Sequence, residues 1–315
     1  MARPPSVEAG LETLLAQSVR ALAGEGDALR FGVAVSGGPD SMALLDLAAR
    51  VFPGRVKAAT VDHGLRSASA DEAAMVAEWC RDQGILHEVL HPAEPLAGNV
   101  QQWARSQRYA ALEEWRAEQG IDWIFTAHHA DDQLETMLMR LNRGAGVNGL
   151  AGIRARQGHI LRPLLGVRRA QLLDYARLRQ LPFMNDPSNS DPRFDRAVIR
   201  QNLAAVDWID SQSAVRSAAA LAECEEALDW SVSALEAQHV RGEGATWALN
   251  RTDLPRELLR RLLLRMLARV GTEAPRGEAL DRAIAAALQG RQASIGTALL
   301  RGGSEWTVSL APPRR

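Results

Sequence analysis

Cysteine is nearly absent. Cys80 and Cys224 are the two in 315 residues, and they share no paired spacing. That excludes a disulfide-stapled scaffold, a four-thiolate zinc site and a CxxC redox centre, and makes a reducing cytoplasm the expected setting. Lysine is scarcer still: Lys57 stands alone among 37 basic residues. No lysine follows a glycine-rich turn, so a GxxxxGK(S/T) phosphate loop is impossible. Long apolar runs are missing too. None approaches the ~18 residues a membrane span needs. The N-terminal Met1-Ala2-Arg3-Pro4-Pro5 leads into an amphipathic stretch rather than an apolar signal core.

What is present describes a folded protein. Hydrophobic residues make up 46% and charged residues 24%, too hydrophobic for disorder. The length exceeds what one core usually serves, about 250–300 residues. We therefore expect a main domain over 1–210 and a smaller one over 211–315. The net charge of -1 hides an uneven distribution. Residues 60–139 carry 14 acidic and 5 basic side chains, whereas residues 140–200 carry 12 arginines and 4 aspartates. Solvated helix faces account for such segments. An arginine-rich stretch in a neutral chain also leaves room for a local nucleic-acid footprint.

The apolar pattern alternates between short runs and helical periods. Residues 8–23 are spaced as an amphipathic helix. Strands are expected at 29–35, 56–61, 85–90 and 123–126, with helices between them. Ser69 and Glu72 form a capping-box pattern that opens one of those helices. This order predicts an α/β fold, a parallel sheet with helices on both faces, followed by a smaller, mainly helical C-terminal domain. Ligands in such sheets sit beyond the carboxyl ends of the strands. Three polar clusters fall there: Ser36-Gly37-Gly38-Pro39-Asp40-Ser41, Asp62-His63-Gly64, and His128-His129 with Asp131-Asp132.

The first cluster carries the clearest chemistry. Gly37 and Gly38 let backbone approach an anion, the amides and helix start present positive partial charge, and Ser36 and Ser41 add hydroxyls. Asp40 suits Mg2+ rather than phosphate. Asp132 and Glu135 lie three apart on one helix face, and Asp131 points elsewhere, where it would assist a metal. An exposed acidic helix start is the plainer reading of these acids. His63 and His128 end strands facing the same place, and His129, pointing the other way, is expected to be structural. Arg105 and Arg108 read equally as phosphate contacts and as a solvated face. The eight tryptophans are assigned mostly to the core.

SGGPDS after a strand resembles the signature of the PP-loop superfamily, the N-type ATP pyrophosphatases. Further segments follow in one order over residues 31–200 and resemble the tRNA(Ile)-lysidine synthetases of that superfamily. They are Val61-Asp62-His63-Gly64-Leu65-Arg66, Ala104-Arg105 with Arg108-Tyr109, and Ala127-His128-His129-Ala130-Asp131-Asp132-Gln133-Leu134-Glu135-Thr136. Arg143-Gly144-Ala145-Gly146, Gly149-Leu150, Arg162-Pro163-Leu164-Leu165 and Asp186-Pro187-Ser188-Asn189 complete the set. Two positions depart from the family pattern: Phe183-Met184-Asn185 precedes the last segment, and Ala197 follows Arg196.

The resemblance implies that ATP adenylates the carbon-2 oxygen of the wobble cytidine in a tRNA(Ile) with a CAU anticodon. Free L-lysine then displaces AMP to give lysidine, and decoding switches from methionine to isoleucine. On this reading residues 36–41 bind ATP, and Asp40 and Asp131 serve Mg2+. Asp40, His63, Asp132 and Glu135 are catalytic, with Asp132 and Glu135 binding lysine. Arg105, Arg108, Arg143, Arg196 and Arg200 contact phosphate or tRNA, with the C-terminal domain and its arginine helix (Arg256, Arg260, Arg261, Arg265) as a second tRNA surface. Neither a membrane nor a protein partner is implied, and the chain would act as a monomer or homodimer. The rivals are a PP-loop cytidine thiolase, which typically needs CxxC cysteines, a small-molecule PP-loop ligase, which lacks the His-His-x-Asp-Asp-Gln-x-Glu-Thr pattern, and a non-catalytic RNA- or nucleotide-binding module.

Overall fold

A computed structural model describes residues 7–64, 68–94, 98–184, 195–275 and 277–311. Leu65, Arg66 and the Asp186-Pro187-Ser188-Asn189 segment lie outside the described residues. The chain packs as two compact units, Met1–Ala222 and Glu223–Arg315. Their division falls inside a helix, α9 (Ser211–His239), whereas the helical sequence pattern placed it at 210/211, where that helix begins.

The first unit is built on a six-stranded sheet in the order β3-β2-β1-β4-β6-β5. Its strands are β1 (Phe31–Ala34), β2 (Val56–Val61), β3 (Leu86–Leu90), β4 (Trp123–Phe125), β5 (Arg156–Gln157) and β6 (Ile160–Leu161). All neighbours run parallel except the short β5, which is antiparallel to β6. Central β1 is buried at every residue, as a strand covered on both faces must be. Helices α1 (Val7–Ala23), α2 (Pro39–Val51) and α3 (Ala68–Asp82) share one apolar core with β1, joined by α7 (Arg169–Leu178). Leu11, Leu15 and Val19, four residues apart, supply the α1 stripe. On the other face α4 (Val100–Glu118) packs Leu112 and Trp115 against Ala34, Ala59 and Ile124. Gly32 lets α4 approach: a Cβ there would stand 2.5 Å from the Trp115 ring.

Strand order reverses at β1, which has β2 on one side and β4 on the other. That reversal opens a crevice at the carboxyl ends of β1 and β4. SGGPDS follows β1, and α5 (Ala130–Asn142) follows β4. A short α6 (Val147–Leu150) precedes β5, and α8 (Asp195–Leu203) packs on α5. The expected capping box at Ser69 is not the helix start. The helix begins one residue earlier, and the Ser69 hydroxyl donates to Asp62 Oδ1 at 2.6 Å.

The second unit contains helices α10 (Arg256–Arg269) and α11 (Gly277–Leu288), as expected, with a sheet that the helical period concealed. β7 (Val240–Glu243), β8 (Thr246–Leu249), β9 (Gln292–Ile295), β10 (Ala298–Arg301) and β11 (Trp306–Leu310) form an antiparallel sheet in the order β7-β8-β11-β10-β9. Its core joins Leu259, Leu263 and Met266 of α10 to Leu249, Leu300 and Trp306 of the strands. Among the described residues no helix is long and apolar enough to cross a membrane.

Candidate active site

The turn after β1 has the conformation its sequence demands. Gly37 lies at φ 78°, left-handed backbone that favours glycine, and its carbonyl accepts from Met184 N at 2.9 Å. Ser41 Oγ accepts from Ser36 N at 3.1 Å and donates to Gly38 O at 3.0 Å, closing the turn on itself. Helix α2 starts with Pro39 at its first turn, and Gly38 offers no side-chain cap. The α2 amino end therefore presents free N–H groups to the crevice. Asp40 stands there with Oδ1 buried and without a hydrogen-bond partner among the described residues. An uncompensated carboxylate oxygen beside a phosphate-type turn is a fitting ligand for Mg2+, which takes one or two carboxylates plus substrate phosphates. Asp131 is less available: its Oδ2 accepts from Arg169 N at 2.8 Å, at the first turn of α7. No group of three or more His, Cys, Asp or Glu side chains able to hold a metal exists among the described residues.

Beside this turn lies a cleft of about 240 Å3, lined by Ser36, Thr60, His63, Glu72 and Arg108 with the ends of β1 and β2. His63 packs 6.0 Å from Trp103, and its Nδ1 is buried without a partner among the described residues. Burial, and then the Arg108 guanidinium, hold His63 below the usual imidazole range. Arg105 lies over the Tyr109 ring at 5.1 Å. His128 Nδ1 bonds Thr126 Oγ1 at 2.9 Å. Burial, followed by Arg162 and Arg108, pushes His128 down to about 3, so it is a neutral imidazole at physiological pH.

His129 does more than the structural duty expected of it. It is 2% exposed and caps α5, its Nδ1 accepting from Asp132 N while Asp132 Oδ2 accepts from His129 N. Its Nε2 faces Asp40 Oδ2 at 3.6 Å and Asp132 Oδ2 at 3.5 Å. Burial opposes charge on this ring, but Asp40 and the neighbouring Asp132 and Asp131 raise its pKa above the usual value. His129 thus ties the turn after β1 to the acids after β4.

The acids themselves are already engaged. Glu135, 2% exposed, accepts from Arg196 Nε at 2.7 Å, from Arg200 Nε at 2.7 Å and from Arg200 Nη2 at 3.0 Å. Asp132 Oδ1 accepts from Arg196 Nη2 at 3.0 Å. Burial alone would push the Glu135 carboxyl up; Arg200 and Arg196 hold it below its usual value. Spacing put Asp132 and Glu135 on one face, and the structure agrees, yet that face meets two guanidiniums from α8. Arg196 and Arg200, expected to reach phosphate or tRNA, are the counterions of these carboxylates. A cavity of about 290 Å3 adjoins them, lined by Asp131, Glu135, Arg169 and Arg200 with apolar Leu134 and Leu203.

Arg143 is not brought to this place. It is the C-cap of α5, roughly 16 Å along the helix from Asp132 at 1.5 Å per residue. Arg169, which no motif marked, lines the second cavity and stands 3.9 Å from Asp40 Oδ2. Two of the tryptophans assigned mostly to the core are exposed, Trp208 at 81% and Trp230 at 76%.

Comparison with known proteins agrees with this geometry. The chain matches the PP-loop domain family over residues 11–206. It is 41% identical over 297 residues to the tRNA(Ile)-lysidine synthase of Zymomonas mobilis, covering 91% of this chain and 90% of that protein. It is 43% identical over 297 residues to the one from Novosphingobium aromaticivorans, with 91% and 90% covered. Among solved structures, the U34-tRNA thiolase NcsA from Methanococcus maripaludis matches at a TM-score of 0.56 and 19% identity, over 69% of this chain and 80% of that one, a likeness of fold alone. With its PP-loop turn, its acids at the end of β4 and relatives of this closeness along nine-tenths of its length, the chain belongs to the tRNA(Ile)-lysidine synthase family.

Proposed function

We propose that this chain is an ATP-dependent ligase that joins lysine to carbon 2 of the wobble cytidine in a tRNA(Ile) with a CAU anticodon. The cytidine carbon-2 oxygen attacks the α-phosphorus of ATP and pyrophosphate leaves. The ε-amine of free lysine then attacks carbon 2, AMP leaves with the oxygen, and the amine gives up its proton. One observation carries the reading: His129 Nε2 stands 3.6 Å from Asp40 and 3.5 Å from Asp132. Both half-reactions meet at one carbon, and the phosphate-binding turn and the acid pair are joined by one side chain.

The remaining residues take their parts around that point. Residues 36–41 and the α2 amino end bind the phosphates of ATP, with Arg105 and Arg108 as cationic partners. Mg2+ held by Asp40 and those phosphates supplies charge neutralisation for the departing pyrophosphate. Neutral His128 and His63 donate or accept a hydrogen bond without adding charge. The cavity beside Glu135 suits lysine, because its acids match an ammonium and Leu134 and Leu203 match a methylene stem. Entry of that ammonium competes with Arg196 and Arg200 for the same carboxylates. A thiolase reading is not favoured: Cys80 is buried in the core and burial pushes its thiol up to about 12, and Cys224 lies in the other unit. A cytoplasmic setting suits reduced cysteines and a tRNA substrate. The test is incubation with ATP, labelled lysine and the CAU transcript, followed by nucleoside analysis. Labelled lysidine with one AMP per lysine supports the reading; ATP consumption without labelled nucleoside overturns it.

A further inference from the structure

Two guanidiniums line the cavity beside Glu135, and one of them is spent. Arg200 gives Glu135 two hydrogen bonds. Arg169 gives none: among the described residues its guanidinium has a single long ion pair, Nε to Asp40 Oδ2 at 3.9 Å. Its neighbour Arg168 is paired with Asp210 at 2.8 Å. The Arg169 side chain is 40% exposed and opens onto the cavity. A planar fork of donors without acceptors, beside a carboxylate that fits Mg2+, is available to an anionic ligand.

The backbone that carries this side chain is fixed at several points. Arg169 is the first residue of α7, and its N–H donates to Asp131 Oδ2 at 2.8 Å. Two residues earlier, Val167 O accepts from Ala130 N at 2.8 Å, at the start of α5. Further along, the Tyr175 hydroxyl donates to Asp46 Oδ2 at 2.6 Å, and Arg179 Nε donates to the same oxygen at 3.3 Å. Asp46 is buried on α2, the helix whose first turn holds Asp40. Leu172 and Tyr175 complete the contact in the apolar core. Helix α7 is therefore tied to α5 at its start and to α2 along its length, and Asp131, expected to assist a metal, serves that tie. The guanidinium is a charge set in place before a ligand arrives, the arrangement that stabilises developing charge without reorganisation.

We propose that Arg169 is a catalytic residue of the adenylation step, binding the phosphoryl oxygens of ATP as pyrophosphate leaves. The assignment rests on the ATP-dependent reading of the preceding subsection and adds a residue to it. In that step the carbon-2 oxygen bonds to the α-phosphorus, the bond from that phosphorus to the bridging oxygen breaks, and its electron pair leaves with pyrophosphate. Arg169 supplies charge alone and keeps its protons, as a guanidinium does at any working pH. Asp40 lies at the α2 amino end where the phosphates bind, so a side chain beside Asp40 is beside the phosphates too. With Asp40 engaged by Mg2+, the guanidinium loses its one long ion pair, and the phosphoryl oxygens become its acceptors. The α-carboxylate of lysine is the other anion this place meets, and it fits less well. The ε-amine must reach carbon 2, so the carboxylate trails away from the reacting atoms, whereas Arg169 stands at them.

The test compares the full chain with Arg169→Gln and Arg169→Lys, both of which keep the backbone bond to Asp131. Pyrophosphate release is timed in a single turnover with the CAU transcript and lysine withheld. Lysine transfer is timed separately on tRNA that the wild type has already adenylated. Calorimetry measures binding of a non-hydrolysable ATP analogue and of pyrophosphate. Removing one preorganised donor costs about 100- to 1000-fold in rate, and Arg169→Gln is expected to slow pyrophosphate release by that factor. Pyrophosphate binds this variant more weakly, while affinity for the ATP analogue, lysine transfer and KM for lysine stay at wild-type values. Arg169→Lys, a point charge without the planar fork, recovers part of the loss. Pyrophosphate release at the wild-type rate in Arg169→Gln overturns the proposal. So does a raised KM for lysine with release intact, which would make Arg169 an anchor for the lysine carboxylate. Equal loss of both steps in both variants, with a lowered melting temperature, also overturns it and assigns the side chain to the fold. Failure of the wild type to release pyrophosphate with tRNA and ATP rejects the ATP-dependent reading instead.

Discussion

Replacing Glu135 by glutamine removes the negative charge at the centre of the α5–α8 contact. Three hydrogen bonds from two guanidiniums end on this carboxylate. A charge-assisted bond contributes roughly 1.5–3 kcal/mol, and removing one partner of a buried pair costs about 3–5 kcal/mol. The Arg196 and Arg200 side chains are 41% and 26% exposed, so water screens part of that loss. We expect Glu135→Gln to destabilise the first unit by about 2–4 kcal/mol, and to lower its melting temperature by roughly 4–16 °C at about 2–4 °C per kcal/mol. Arg200→Gln completes a double-mutant cycle. Because the groups touch directly, a coupling of about 1–3 kcal/mol is expected. Calorimetric melts of the four proteins measure it. A coupling below about 0.5 kcal/mol, with Glu135→Gln melting like the wild type, would refute the claim that this pair holds α8 on α5.

Asp40→Asn should abolish tRNA-dependent pyrophosphate release and remove the Mg2+ dependence of ATP binding; pyrophosphate release at the wild-type rate would refute the assignment. Asp132→Ala should allow pyrophosphate release and block lysine transfer, so that adenylated tRNA accumulates; parallel loss of both steps would assign the residue to the fold. Gly32→Ala should cost about 1–3 kcal/mol by overpacking, because its methyl group would stand 2.5 Å from the Trp115 ring; denaturant unfolding checks it. Glu135 has its pKa depressed below the ordinary 4.5, so its contribution is present above that pH and is lost as pH falls through the folded-state value. The gap in melting temperature between wild type and Glu135→Gln should therefore be full at pH 6 and narrow progressively as the pH is lowered below 4.5.

Local rules were enough for much of this protein. Glycine, proline and serine in one short turn after an apolar run dictate an anion-binding loop, because left-handed backbone at Gly37 and a proline start to α2 follow from covalent geometry. Alternating apolar periods dictate the parallel sheet, and three-residue spacing dictates that Asp132 and Glu135 share a face. What the acids touch is a different matter. Arg196 and Arg200 lie more than sixty residues away in the chain, and only the docking of α8 on α5 turned them from expected phosphate ligands into counterions. The same holds for His129, which the strand alternation set aside and the α5 cap aimed at Asp40. In the second unit the five strands are four or five residues long, too short for a clear period beside strongly helical neighbours. Partnering was decided by the fold: the arginines of α10 read in the sequence like any other surface charges, and only folding brings Asp281, Glu225 and Glu236 to them.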